Sequence, residues 1–180
     1  AAIIGSGIGL KHFEAINGYR NSKVKIICEK SVKKIKKLKL RYRNIKIISN
    51  ENEIFRNKEI NLVSIASYDD DHFSQIKKCI KYKKHIIVEK PMCLNDKQLN
   101  QIKTLLKKNP KIKIISNLVL RANSLFMAIK KKVNIDDIFY IEADYIWGRR
   151  QKLFQWRSKI EDYSVTLGAG IHMIDLIMWI

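Results

Sequence analysis

Strand-length apolar runs alternate with helical patterns through residues 1–118, and that alternation constrains the fold more than any other feature of the chain. The runs are Ala1–Ile4, Val24–Cys28, Ile45–Ile48, Leu62–Ala66, His85–Val88 and Ile112–Ser116. Leu62–Ala66 is apolar except for Ser64, as expected of a strand covered by helices on both faces. Between the runs, Leu10–Tyr19, Ser31–Leu40 and Asp69–Lys83 read as helices. In the second, Val32, Ile35 and Leu38 share a side, with lysines mostly opposite. In the third, Phe73, Ile76 and Ile80 share a face, and three aspartates sit at the positive N-terminus. A further helix starts at Asn95, with Gln98 placed as in a capping box, and stops before Pro110. Strands alternating with helices imply an α/β fold: a doubly wound, mostly parallel sheet joined by right-handed crossovers.

After residue 118 the texture changes. Leu125–Val133 reads as a helix, Ile138–Ile146 as a strand of a second sheet, and Gly168–Ile180 as the start of another helix. The expectation is one domain over 1–118 and the first part of an α+β domain over 119–180. The apolar stretch Leu176-Ile177-Met178-Trp179-Ile180 at the end, and the lack of an initial Met, suggest a truncated chain.

The formal net charge is +19, which on its face suggests nucleic acid or an acidic membrane surface. Lys outnumbers Arg 28 to 8, and Ile and Asn are abundant, which is the bias of an AT-rich coding sequence. The lysines are spread over many segments, and base reading favours Arg. Neither a nucleic-acid nor a membrane partner is therefore expected. Cys28, Cys79 and Cys93 have no CxxC spacing, which argues against disulfides and structural zinc. No metal site is expected. The opening residues lack a basic n-region and a cleavage site, and the reading is cytoplasmic.

Gly5-Ser6-Gly7-Ile8-Gly9 stands between the first strand and the first helix. Glycines there let backbone N–H groups approach a pyrophosphate, and the helix dipole favours its charge. Glu29 follows 20 residues after Gly9, at the end of the second strand, where a carboxylate accepts hydrogen bonds from a ribose diol. The pair forms a dinucleotide signature. The cofactor reading is NAD, with NADP open because Lys30 and Ser31 stand where a 2′-phosphate would be met.

Glu89-Lys90-Pro91 follows the fifth strand, at the edge where such sheets bind ligands. The order of the glycine turn with His12, Ala66-Ser67 with His72, Glu89-Lys90-Pro91, and Gly170-Ile171-His172-Met173-Ile174-Asp175 resembles the Gfo/Idh/MocA family of oxidoreductases. The resemblance implies an N-terminal Rossmann domain, a C-terminal domain built on a large open sheet, NAD or NADP as cofactor, and homo-oligomers. It implies hydride transfer to or from a hydroxyl or keto carbon of a sugar, cyclitol or nucleotide-sugar derivative. Gly5, Ser6, Gly7, Ile8 and Gly9 would cradle the pyrophosphate and Glu29 the adenosine ribose. Ala66, Ser67 and His72 would border the nicotinamide half, with Glu89 and Lys90 beside its ribose. Lys90 would also reach the reacting hydroxyl, His172 would act as general acid/base, and Asp175 would orient the imidazole or a substrate hydroxyl. Arg121 and Arg157 resemble substrate-domain positions. Each either holds an anionic substrate group or makes a surface ion pair. Tyr145, Trp147 and Tyr163 read as packing residues.

The chain departs from the family pattern in three places. One residue is missing between Gly7 and Gly9. Ser67-Tyr68-Asp69 replaces a common Thr-Pro-Asn turn. Gly168 stands where many family dehydrogenases carry an Asp four residues before the histidine. The last departure motivates an alternative: a non-catalytic dinucleotide-binding regulatory module of the same fold.

Overall fold

The computed structural model describes residues 1–138, 140–146, 148, 151, 154–161 and 163–180; for Ile135 it describes the backbone only. The chain divides into two compact units, Ala1–Ser116 and Asn117–Ile180.

The first unit is a six-stranded parallel sheet flanked by helices. Its strands are β1 (Ala2–Ile4), β2 (Ile26–Cys28), β3 (Lys46–Ile48), β4 (Leu62–Ile65), β5 (His85–Val88) and β6 (Ile114–Ser116). They lie in the order β3-β2-β1-β4-β5-β6, the doubly wound arrangement that the alternation predicts. Ile3 pairs with Ile27 on one side and Ser64 on the other, so β1 is central. The strand order reverses between β1 and β4, and ligands enter sheets of this kind at the carboxyl ends of the strands flanking that point.

Alternation along the strands builds the two core layers. Ala2, Ile4, Ile26, Cys28, Val63 and Ile65 face α3 (Asn52–Arg56), α4 (His72–Lys81) and α5 (Asp96–Lys107), where Phe55, Ile76, Ile80 and Ile102 complete a buried cluster. Ile3 and Ile27 point the other way and pack with Ile16 of α1 (Gly9–Gly18) and Leu38 of α2 (Val32–Arg41). Helix starts follow local chemistry. Ser31 caps α2 by accepting from the Lys34 N–H. Asn95 caps α5 by accepting from the Gln98 N–H at 3.0 Å, while Gln98 Oε1 accepts from the Leu94 N–H at 2.9 Å. The five-residue α3 has no counterpart in the sequence reading, because one helical turn leaves no periodicity to detect.

The second unit holds α6 (Ser124–Lys132), α7 (Ile171–Trp179), short 3-10 turns, and a π-helical turn, Thr166–Gly170, leading into α7. The expected strand at Ile138–Ile146 is not there: none of the described residues in that range is in a strand. β-branched and aromatic residues favour a strand only when a neighbour supplies the ladder, and the described part of this unit offers no such partner. Trp147 lies outside the described residues. Among the described residues, no helix is long and apolar enough to cross a membrane, and no group of three or more His, Cys, Asp or Glu is placed to hold a metal ion.

Phe55 is 1% exposed and stacks on Tyr82 at 6.5 Å between centroids. Phe55→Ala is expected to lower unfolding stability by about 3–5 kcal/mol in urea titrations. A loss under about 1 kcal/mol would show that this layer relaxes around the void.

Candidate cofactor site

The residue after β1 sets the geometry. Gly5 has φ +90°, a conformation that L side chains rarely adopt. A Cβ on it would lie 2.3 Å from the Ala66 carbonyl oxygen at the end of β4. Only glycine allows the chain to turn here while the ends of β1 and β4 stay this close.

The turn divides its N–H groups between two tasks. Gly5 N–H donates to the Cys28 carbonyl at 2.9 Å. Ser6 N–H donates to Glu29 Oε2 at 3.1 Å, and the Ser6 hydroxyl donates to the same oxygen. The N–H groups of Gly7, Ile8 and Gly9 have no acceptor among the described residues. The shortened turn thus keeps three donors at the start of α1 for an anion, and uses its first two to tie itself to β2. Ser6 serves Glu29, where the sequence suggested the pyrophosphate.

Glu29 is 8% exposed. Its Oε1 accepts from the Ser31 N–H at 2.9 Å, and Lys34 Nζ stands 3.8 Å from Oε2. Burial pushes its pKa up. The hydrogen bonds from Ser6 and Ser31, with Lys34 nearby, outweigh burial and hold it below its ordinary value. Glu29 is therefore ionised at neutral pH. Oε1, with a single protein donor, keeps room to accept a ribose hydroxyl.

A cavity of about 470 Å³ lies at the carboxyl ends of β1, β2 and β4. Gly5, Ser6, Gly7, Glu29, Lys30, Ala66 and Ser67 line it; Ile8, Gly9, His72, Glu89 and Lys90 do not. Lys34, Glu51, Tyr68 and Asp71 line it as well. In the sequence Asp71 reads only as helix-terminal charge. It precedes α4, makes no capping bond, and instead takes Lys30 Nζ at 2.8 Å. Behind the wall, Ser67 Oγ donates to Gln75 Oε1 at 2.6 Å, and Gln75 Nε2 donates to Glu51 Oε2 at 2.6 Å. Burial pushes the Cys28 thiol up to about 12, so it brings no nucleophile to the cavity.

Lys90 follows β5 and Glu89, whose N–H donates to the Ile65 carbonyl at 2.8 Å. His72 is fully buried and turned away from the cavity; its Nδ1 meets the Pro91 carbonyl at 2.8 Å.

In the second unit, Arg121 and Asp175 are brought together. Arg121 Nε donates to Asp175 Oδ2 at 2.8 Å, and Nη2 donates to Oδ1. Asp175 therefore gives its carboxylate to an arginine. His172 is half-buried in the first turn of α7. Arg157 Nε donates to the Tyr163 hydroxyl at 2.8 Å, with its guanidinium 4.1 Å from the Trp156 ring centroid. A Cβ at Gly168 would lie 2.6 Å from the Tyr163 hydroxyl, so that phenol fills the space a side chain at 168 would take.

A family model described as an oxidoreductase family with an NAD-binding Rossmann fold matches residues 1–117. The chain belongs to the Gfo/Idh/MocA oxidoreductase family. Its Rossmann unit is of the NAD-binding kind. An uncharacterized oxidoreductase of Synechocystis sp. is 22% identical over 99% of this chain and 50% of its own length. An uncharacterized oxidoreductase of Escherichia coli, YdgJ, is 24% identical over 87% of this chain and 46% of its own. The chain thus spans about half the length of the curated relatives it matches. Among solved structures, scyllo-inositol dehydrogenase from Lactobacillus casei with NAD(H) and scyllo-inositol superposes with a TM-score of 0.81 at 18% identity, covering 99% of this chain and 54% of that one. The myo-inositol 2-dehydrogenase from Lactobacillus plantarum gives 0.83 at 19% identity, covering 99% of this chain and 55% of that one. At these identities the likeness is one of fold.

Glu29 generates a pH test. A carboxyl whose folded pKa lies below its unfolded one stabilises the fold above the unfolded value, and that contribution fades as pH falls through the folded value. Glu29→Gln cannot accept from both Ser6 and Ser31, since one side of the amide is a donor. Its stability deficit in urea should be full at neutral pH and shrink as pH drops below 4.5, the ordinary value. A deficit that stays constant down to strongly acidic pH would contradict the ionised, hydrogen-bonded state.

Proposed function

We propose that this chain carries the cofactor-binding part of an NAD-dependent oxidoreductase acting on a secondary hydroxyl or keto carbon of a sugar or cyclitol. The observation that carries the reading is the pairing of three open N–H groups with an ionised, pre-tied Glu29 at the switch point of the sheet. The fit to a dinucleotide is chemical: donors without partners for a pyrophosphate, and a carboxylate with acceptor capacity for a ribose diol.

When bound, NAD supplies the hydride acceptor. The chain's own residues supply the rest. Gly7, Ile8 and Gly9 would bind the pyrophosphate through N–H groups, and Glu29 the adenosine ribose. Lys30 is paired with Asp71, and a 2′-phosphate would meet the Glu29 carboxylate, which would favour NAD over NADP. Lys90 would lie beside the nicotinamide ribose and stabilise negative charge growing on the substrate oxygen. His172 would take the hydroxyl proton, a general-base role for which an imidazole is chemically suited. Arg121 and Asp175, already joined, would act together if they meet substrate. The inositol dehydrogenases among the fold neighbours make cyclitols the first compounds to test.

A second reading rests on one observation. The Tyr163 hydroxyl holds the space beside Gly168 where family dehydrogenases place an acid. A dinucleotide-binding module without turnover would need no acid there.

Following NADH formation by the complete protein on a panel of cyclitols, aldoses and nucleotide sugars separates the two. Lys90→Ala is expected to lower kcat on the accepted substrate by about 10²–10³-fold while NAD still binds. Unchanged turnover would remove Lys90 from the chemistry. NAD binding with no turnover on any member of the panel would favour the regulatory module.

A further inference from the structure

We propose that His12 and His72 are positioning residues that clamp the Glu89-Lys90-Pro91 turn from both sides and so set the direction of Lys90. The inference rests on the reading of Lys90 as the catalytic cation, and concerns how the chain aims it.

The two imidazoles come from different layers of the fold. His12 lies on α1, just past the glycine turn, and is 9% exposed. Its Nδ1 meets the Ser64 hydroxyl at 2.7 Å, and its Nε2 meets Glu89 Oε1 at 2.8 Å. Ser64 is the polar exception in β4 and is fully buried. His72 opens α4 on the other face of the sheet, is fully buried, and places Nδ1 2.8 Å from the Pro91 carbonyl. The residues on either side of Lys90 are therefore each held by a buried ring. The Glu89 N–H adds a bond to the Ile65 carbonyl at 2.8 Å.

The partners fix the protons. A carboxylate only accepts, so His12 presents Nε2–H to Glu89, and in the neutral ring Nδ1 then accepts a hydrogen bond from the Ser64 hydroxyl. A carbonyl only accepts, so His72 presents Nδ1–H to Pro91. His72 Nε2 is buried without a partner among the described residues, consistent with an unprotonated nitrogen there. The two histidines thus hold opposite tautomers. The clamp also joins the helix that follows the phosphate-binding turn to the turn that carries the lysine, so the two parts of the site are placed by one set of bonds. A positional error of about 1 Å at a reacting group can cost about 10²-fold in rate, which is the scale on which such a clamp acts.

The test needs no known substrate. In the ¹⁵N-labelled complete protein, long-range proton–nitrogen correlation spectra should show His12 as the Nε2–H tautomer and His72 as the Nδ1–H tautomer. The reverse assignment for either ring overturns the proposal. In parallel, trace acetylation with acetic anhydride, read by mass spectrometry of the Lys90 peptide, reports how that amine is presented. His12→Leu and His72→Leu should each change Lys90 acetylation several-fold, while Lys97 and Lys103 on α5 react as before. His12→Gln keeps a donor in place of Nε2, and His72→Asn keeps one in place of Nδ1; each should recover part of the loss. Leucine variants that leave Lys90 acetylation unchanged would refute the clamp, as would Gln and Asn variants that fold but perform no better than leucine. If the leucine variants do not fold, the tautomers and the Gln and Asn variants still decide. Loss of the catalytic reading appears separately, as full turnover by Lys90→Ala with the clamp intact.

Discussion

The close approach of Gly5 to the Ala66 carbonyl is the contact on which the rest of the site depends. It joins the ends of β1 and β4, the two strands between which the sheet reverses its order. Any Cβ at Gly5 would push the glycine turn off the end of β4. The turn would then lose its hold on Cys28 and Glu29, and α1 would start from a different place. With glycine there, the switch-point crevice exists, with Gly5, Ser6 and Gly7 on its wall.

The second constraint is electrostatic. A buried carboxylate is costly unless hydrogen bonds hold it, and Glu29 is held by three donors from the turn on one side and α2 on the other. The same bonds keep the turn in place. In this turn, shorter by one residue than the family pattern, the first two N–H groups tie the turn to the end of β2 and the next three have no acceptor among the described residues.

Much of this is legible in the sequence. The six strands, their parallel arrangement and the cap at Asn95 follow from the alternation of short apolar runs with helical patterns and from one local capping signature. What the sequence hides is long-range. Nothing local says that Asp71 reaches Lys30 across a cavity, that Ser6 serves Glu29, or that His72 grips Pro91 from inside the core. The lone Ser64 in an apolar strand was the one local sign of the His12 contact, since a buried hydroxyl requires a partner. The strand expected at 138–146 is absent among the described residues for a related reason: propensity describes a segment, and a strand is a property of a pair. Gly168 is similar, because its lack of a side chain makes sense only beside the Tyr163 hydroxyl.

The central claim is that a dinucleotide docks where the glycine turn meets Glu29. Titrating the ¹⁵N-labelled protein with NAD and following backbone amide shifts tests it most directly. The account predicts the largest shifts at Gly7, Ile8, Gly9 and Glu29, with Lys77 and Gln101, in a groove between α4 and α5, unmoved. Shifts centred on that outer groove, with the glycine turn silent, would contradict it.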